Sequence, residues 1–194
     1  MKSHIVTTKK IVLTALLAAL TVAGSAIRIT VPLDIAGTSS FHLGNILCAM
    51  AGILLGPVYG GLAGGLGSAI YDILNPLYIS ECWITFLMKG AYGLVAGLIA
   101  WSGKKPWDIN IPHCYLKAMV ATVAGAVTYA ALYLAKSYFY SGLFLHGLTP
   151  EAALINLVGK LPATIFNAVV AIVCAPLLVI AISKALEKAH LRID

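Results

Sequence analysis

Charge is what this sequence has least of. Only 10% of its 194 residues are Asp, Glu, Lys or Arg, against roughly 25% in soluble domains, while 60% are hydrophobic. That balance excludes an ordinary soluble domain and leaves a polytopic membrane protein. The four cysteines, Cys48, Cys82, Cys114 and Cys174, form no CxxC pair and have no histidine at metal-ligand spacing. A disulfide framework and a zinc site are therefore not expected. GxxxxGKS/T, HExxH and GxSxG motifs are all missing, so no nucleotide hydrolysis and no enzyme activity is expected, and no catalytic residue, cofactor or metal is assigned. The first apolar run is too long, and too like the later runs, to be a cleaved signal peptide. The net charge of +6 sits at the ends of apolar runs, which points to orientation in a bilayer and not to nucleic acid.

What is there is a set of long apolar runs. A helix crosses the hydrocarbon with about 20 apolar residues, fewer where neighbours shelter it. Six candidates fall between breakers: Ile11–Ile29, Leu43–Leu55, Val58–Leu74, Trp83–Trp101, Leu116–Tyr140 and Ala152–Ile182. Gly56-Pro57 divides the second from the third, Asn75-Pro76 ends the third, and Thr149-Pro150-Glu151 starts the sixth. Pro162 and Pro176 mark candidate kinks in the last run. The chain reads as a single all-α membrane domain over 1–194 with six transmembrane helices. Lys2, Lys9, Lys10, Lys104, Lys105, Lys184, Lys188 and Arg192 then share one side, whereas 30–42, 75–82 and 141–150 contain no Lys or Arg. By the positive-inside rule both termini are cytoplasmic.

An ionisable side chain in hydrocarbon costs several kcal/mol unless it is paired or faces a polar cavity. Arg28, Asp72, Glu81, Lys89, Lys136 and Lys160 are such residues, and the topology places all of them in the outer half. Lys89 lies roughly 9 Å into its span and Lys160 roughly 13 Å, too deep to reach the interface easily. Arg28 and Lys136 lie close enough to the interface for their charged ends to snorkel. The polar company at this level comprises His42, Asn45, Asn75, Tyr78, Tyr140 and Asn156, with Trp83 as a candidate stacking surface. These residues outline a ligand pocket open to the outside. A separate pattern is the stripe Ala15, Ala19, Ala23, one smooth helical face that either packs internally or meets another membrane protein. Gly60, Gly61, Gly64, Gly65 and Gly67 suit close packing within the bundle.

The run Phe41-His-Leu-Gly-Asn45, then Ala51-Gly-Ile-Leu-Leu-Gly-Pro57, then Gly67-Ser-Ala-Ile-Tyr-Asp72, together with the Ala15-xxx-Ala19 stripe, resembles the S components of energy-coupling factor (ECF) vitamin transporters. The resemblance spans essentially the whole chain. It implies a prokaryotic, multi-pass plasma-membrane subunit that captures a vitamin-like micronutrient at the outer face. Its partners would be an ECF transmembrane subunit, two ATPase subunits and the bilayer, with no nucleic acid. The resemblance assigns Ala15 and Ala19 to the transmembrane partner, and Glu81, Trp83, Lys89, Lys136, Tyr140, Asn156 and Lys160 to the ligand. Asn45 stands where many members carry Asp. The alternative is a small proton-coupled carrier of a similar solute, with Lys89, Asp72 and Glu81 linked to protons.

Overall fold

A computed structural model describes residues 8–33, 37–103 and 111–188; Lys2, Lys104, Lys105 and Arg192 lie outside them. Six α-helices follow the six apolar runs: α1 (Thr8–Ala26), α2 (Gly44–Leu55), α3 (Pro57–Leu74), α4 (Cys82–Trp101), α5 (Ile111–Ala135) and α6 (Pro150–Lys188). Gly56 separates α2 from α3 in an extended conformation with φ 86°, which favours glycine, and Pro57 occupies the first turn of α3. α6 runs through Pro162 and Pro176 without interruption. A 3₁₀ turn, Ile79–Glu81, leads into α4.

Two features depart from an all-α reading. Arg28–Pro32 (β1) and Thr38–His42 (β2) pair antiparallel in a hairpin, with Arg28 opposite His42 and Pro32 opposite Thr38. Thr38, Ser39 and Ser40 fill most of β2, so no apolar alternation announces that strand, and β1, with Ile29 and Val31 alternating, begins inside the end of the first apolar run. The second departure is the end of α5, which widens into a π-helical run, Lys136–Leu145, before the chain turns into α6.

Among the described residues, four segments are long and apolar enough to cross a membrane, namely Thr8–Ala26, Ile79–Trp101, His113–Leu145 and Pro150–Lys188. α2 is only 12 residues long, roughly 18 Å, and falls short of the roughly 30 Å hydrocarbon thickness. It is apolar on every face because almost all of it is buried. α3 is its counterpart in glycine. Gly60 and Gly64 face α2, Gly61 and Gly65 face α4, and Gly67 faces α1. With lipid outside the bundle, burial of apolar surface does not drive helices together, so close backbone approach and dispersion must. One apolar cluster centres on Leu17, Met50, Ile53 and Leu54, and a second on Cys48, Ala49, Tyr92 and Tyr129.

Candidate ligand-binding site

Above these clusters, at the end that carries the hairpin, the bundle opens into a cavity of about 370 Å³. Its walls come from the end of α1, the hairpin, α3, the start of α4, α5 with its π run, and α6. Of the residues expected there, His42, Asp72, Glu81, Lys89, Lys136 and Lys160 do line it, as does Arg28. Asn75, Trp83, Tyr140 and Asn156 are not among the lining residues. Asn75 is tied instead to the Tyr71 hydroxyl and the Leu77 amide, at 3.0 and 3.1 Å. Trp83 is 52% exposed and meets Tyr140 edge to face, ring centres 5.7 Å apart. Asn156 is buried, and its Oδ1 has no hydrogen-bond partner among the described residues.

Each cation at the cavity has a distinct environment. Arg28 donates from Nε to the Ser25 carbonyl at 2.9 Å and lies over the rings of Tyr71 and Tyr78 at 4.2 and 4.8 Å. Lys89 donates to the Asn45 side-chain oxygen and lies 4.1 Å from the Tyr129 ring centre. Lys136 pairs with one oxygen of Glu81, and Ser141 donates to the other at 2.8 Å. Lys160 is 95% buried by its 5% exposure and has the Tyr133 ring 6.0 Å away.

The π run explains the Glu81 arrangement. In an α-helix residues 136 and 141 would point about 140° apart around the axis. Bonding from i to i+5 brings residues five apart back toward one face, and the His146 amide donates to the Ser141 carbonyl in that pattern at 3.0 Å. Both groups thereby reach a single carboxylate. Lys136 is consequently a buried, paired residue and does not snorkel to the interface.

The hairpin is held over the cavity from two sides. The Tyr78 hydroxyl sits 3.1 Å from the Thr38 hydroxyl and 3.0 Å from that of Ser40. From α6, Asn167 accepts from the His42 amide at 3.0 Å and donates to the Ser40 carbonyl at 2.8 Å. A side-chain amide thus completes the outer edge of β2 as a neighbouring strand would. Asn45 and Tyr78, expected in the polar company of the pocket, meet it through Lys89 and the hairpin, whereas Asn167, Tyr129 and Tyr133 are the contributors that the sequence did not point to. Spacing offered one signal, since Asn156, Lys160 and Asn167 fall at helical intervals in an otherwise apolar run.

His42 accepts at Nδ1 from the Gly44 amide at 3.2 Å, which requires that nitrogen to be unprotonated. Burial, then the fields of Lys89 and Arg28, holds its imidazole well below the ordinary 6.5. The unfolded chain therefore binds a proton that the folded one rejects, and stability is lost as pH falls below about 6.5. Thermal unfolding in detergent should show a midpoint that drops between pH 7 and pH 5, and His42→Asn should flatten that slope. An unchanged slope in the variant would contradict a neutral, partly buried imidazole.

The comparisons with known proteins agree with this architecture. A family model described as "ECF-type riboflavin transporter, S component" matches residues 5–184. The chain belongs to this family of ECF transporter S components. It is a membrane protein of vitamin uptake, and its family is one of transporter subunits, not of enzymes. An "Uncharacterized protein in gap 3'region" of Pyrococcus woesei is 30% identical over 124 residues, which cover 64% of this chain and 74% of that protein. A "UPF0397 protein" of Streptococcus gordonii is 33% identical over 93 residues, 48% of this chain and 47% of that protein.

Proposed function

We propose that this S component captures a vitamin-like solute in the cavity beneath the hairpin, from the extracellular side, and delivers it inward together with an ECF transmembrane subunit and two ATPases. The observation that carries the reading is the joining of five expected charges and Arg28 around one cavity at one end of the bundle. The described residues of 30–42, together with 75–82 and 141–150, lie at that end, and all three segments lack Lys and Arg, which supports an extracellular opening, six spans and cytoplasmic termini. The family's name makes riboflavin the first ligand to test. Asp72, with Thr85 beside it, suits a hydrogen-bond donor on the ligand.

Coupling to the transmembrane partner would use α1. Ala15, Ala19 and Ala23 are all exposed, while the face that packs into the bundle consists of Leu17, Ala18, Thr21, Gly24 and Ser25. Internal packing thus does not account for the alanines. Ala15→Trp and Ala19→Trp should leave ligand affinity unchanged and reduce ATP-dependent uptake at least tenfold in cells or proteoliposomes that contain the partner subunits. Normal uptake by both variants would remove α1 from the coupling surface.

A further inference from the structure

The cavity's charges do not balance. Among its described lining residues, Arg28, Lys89, Lys136 and Lys160 face only Asp72 and Glu81. Arg28 is held by a carbonyl and two rings, Lys89 by Asn45 and a ring, and Lys136 by Glu81. Glu81 has both oxygens engaged, so it has little left to offer Lys160. Asp72 lies within the fields of Arg28 and Lys89. Lys160 is different. Its amine has no hydrogen bond and no ion pair among the described residues, and the charge that acts on it most strongly is another cation, Lys136. Its side chain is nonetheless buried and lines the cavity. A buried ammonium whose one neighbour is a ring centred 6.0 Å away is costly, and a ligand anion is the group that would offset that cost.

We propose that the captured ligand carries a carboxylate or phosphate, and that Lys160 is the residue that selects for it. This rests on the capture function proposed above. It also separates this chain from a binder of neutral riboflavin alone. Lys160, on α6, would donate a charge-assisted hydrogen bond to the anion. The paired Glu81 and Lys136 beside it contribute no net charge, so they do not repel that anion.

The test uses the full chain in detergent, with thermal shift and equilibrium binding to matched neutral and anionic compounds. Suitable pairs are riboflavin with flavin mononucleotide, pantothenol with pantothenate, and biotinamide with biotin. The first pair probes a phosphate, the others a carboxylate. The tightest binder should be the anionic member of its pair, preferred by about tenfold or more. In Lys160→Gln that preference should fall to near parity, while the ligand-free melting temperature should not drop, because the amine makes no hydrogen bond or ion pair among the described residues and meets the Tyr133 ring only at 6.0 Å. A neutral compound as tightest binder would overturn the proposal, as would an anion preference that survives in Lys160→Gln. Failure of every compound to bind would contradict the capture function itself, a result distinct from either.

Discussion

Glu81→Ala should destabilise the protein more than any other single change at the cavity. Lys136 is buried, and Glu81 is its counter-ion. Removal of one member of such a pair leaves an uncompensated charge, at a cost of about 3–5 kcal/mol. The Ser141 hydroxyl loses its acceptor in the same step. For a chain of this length that corresponds to a drop in melting temperature of roughly 6–20 °C. The double variant Glu81→Ala/Lys136→Met should recover most of the loss, because it removes the stranded ammonium along with its partner. If Glu81→Ala melts like the parent protein, the pair is solvated and the π run has no role in assembling it.

The second large effect is expected at the glycines where α2, α3 and α4 meet. A Cβ on Gly60 would lie 2.3 Å from the Gly52 Cα and 2.6 Å from the Ala51 carbonyl oxygen, and one on Gly52 would lie 2.2 Å from the Gly93 carbonyl oxygen. These obstacles are backbone atoms, so no side chain can swing away to relieve the clash. Gly60→Ala and Gly52→Ala should each cost at least the upper end of the roughly 1–3 kcal/mol typical of overpacking. The readout is loss of the monodisperse peak on size exclusion in detergent. Gly90 is the control, since a Cβ there meets only the Gly61 carbonyl oxygen at 3.5 Å, and Gly90→Ala should behave like the parent. Equal tolerance of all three changes would show that the helices pack less closely than the structure has them.

The helices were legible in the sequence because a bilayer requires long apolar runs, and proline and glycine divided them at Gly56-Pro57 and Asn75-Pro76. The hairpin was not: β1 begins within the end of the first apolar run, and Thr38, Ser39 and Ser40 of β2 carry no apolar alternation, their strand being stabilised by Tyr78 and Asn167 from distant parts of the chain. For the site, the charges were readable as anomalies, but their partners were not. Tyr129 and Tyr133 look like ordinary members of an apolar run until helix packing turns them toward Lys89, Lys136 and Lys160. Depth alone placed Lys136 near the interface. The i→i+5 winding that swings Ser141 to the same carboxylate has no sequence signature. Trp83 and Tyr140 were placed at the pocket by their level in the membrane, whereas direction around the helix decides, and they meet each other at its surface.

The central claim is that the cavity beneath the hairpin captures a vitamin-like solute without nucleotide. Mass spectrometry of compounds carried through purification of the full chain tests it most directly. The account predicts one vitamin-sized compound in near-equimolar amount, and its loss from Thr85→Trp, which fills the cavity beside Asp72, provided that variant keeps its melting temperature. A compound retained by the folded Thr85→Trp variant, or none in the parent protein even after incubation with the vitamin pairs, would contradict it.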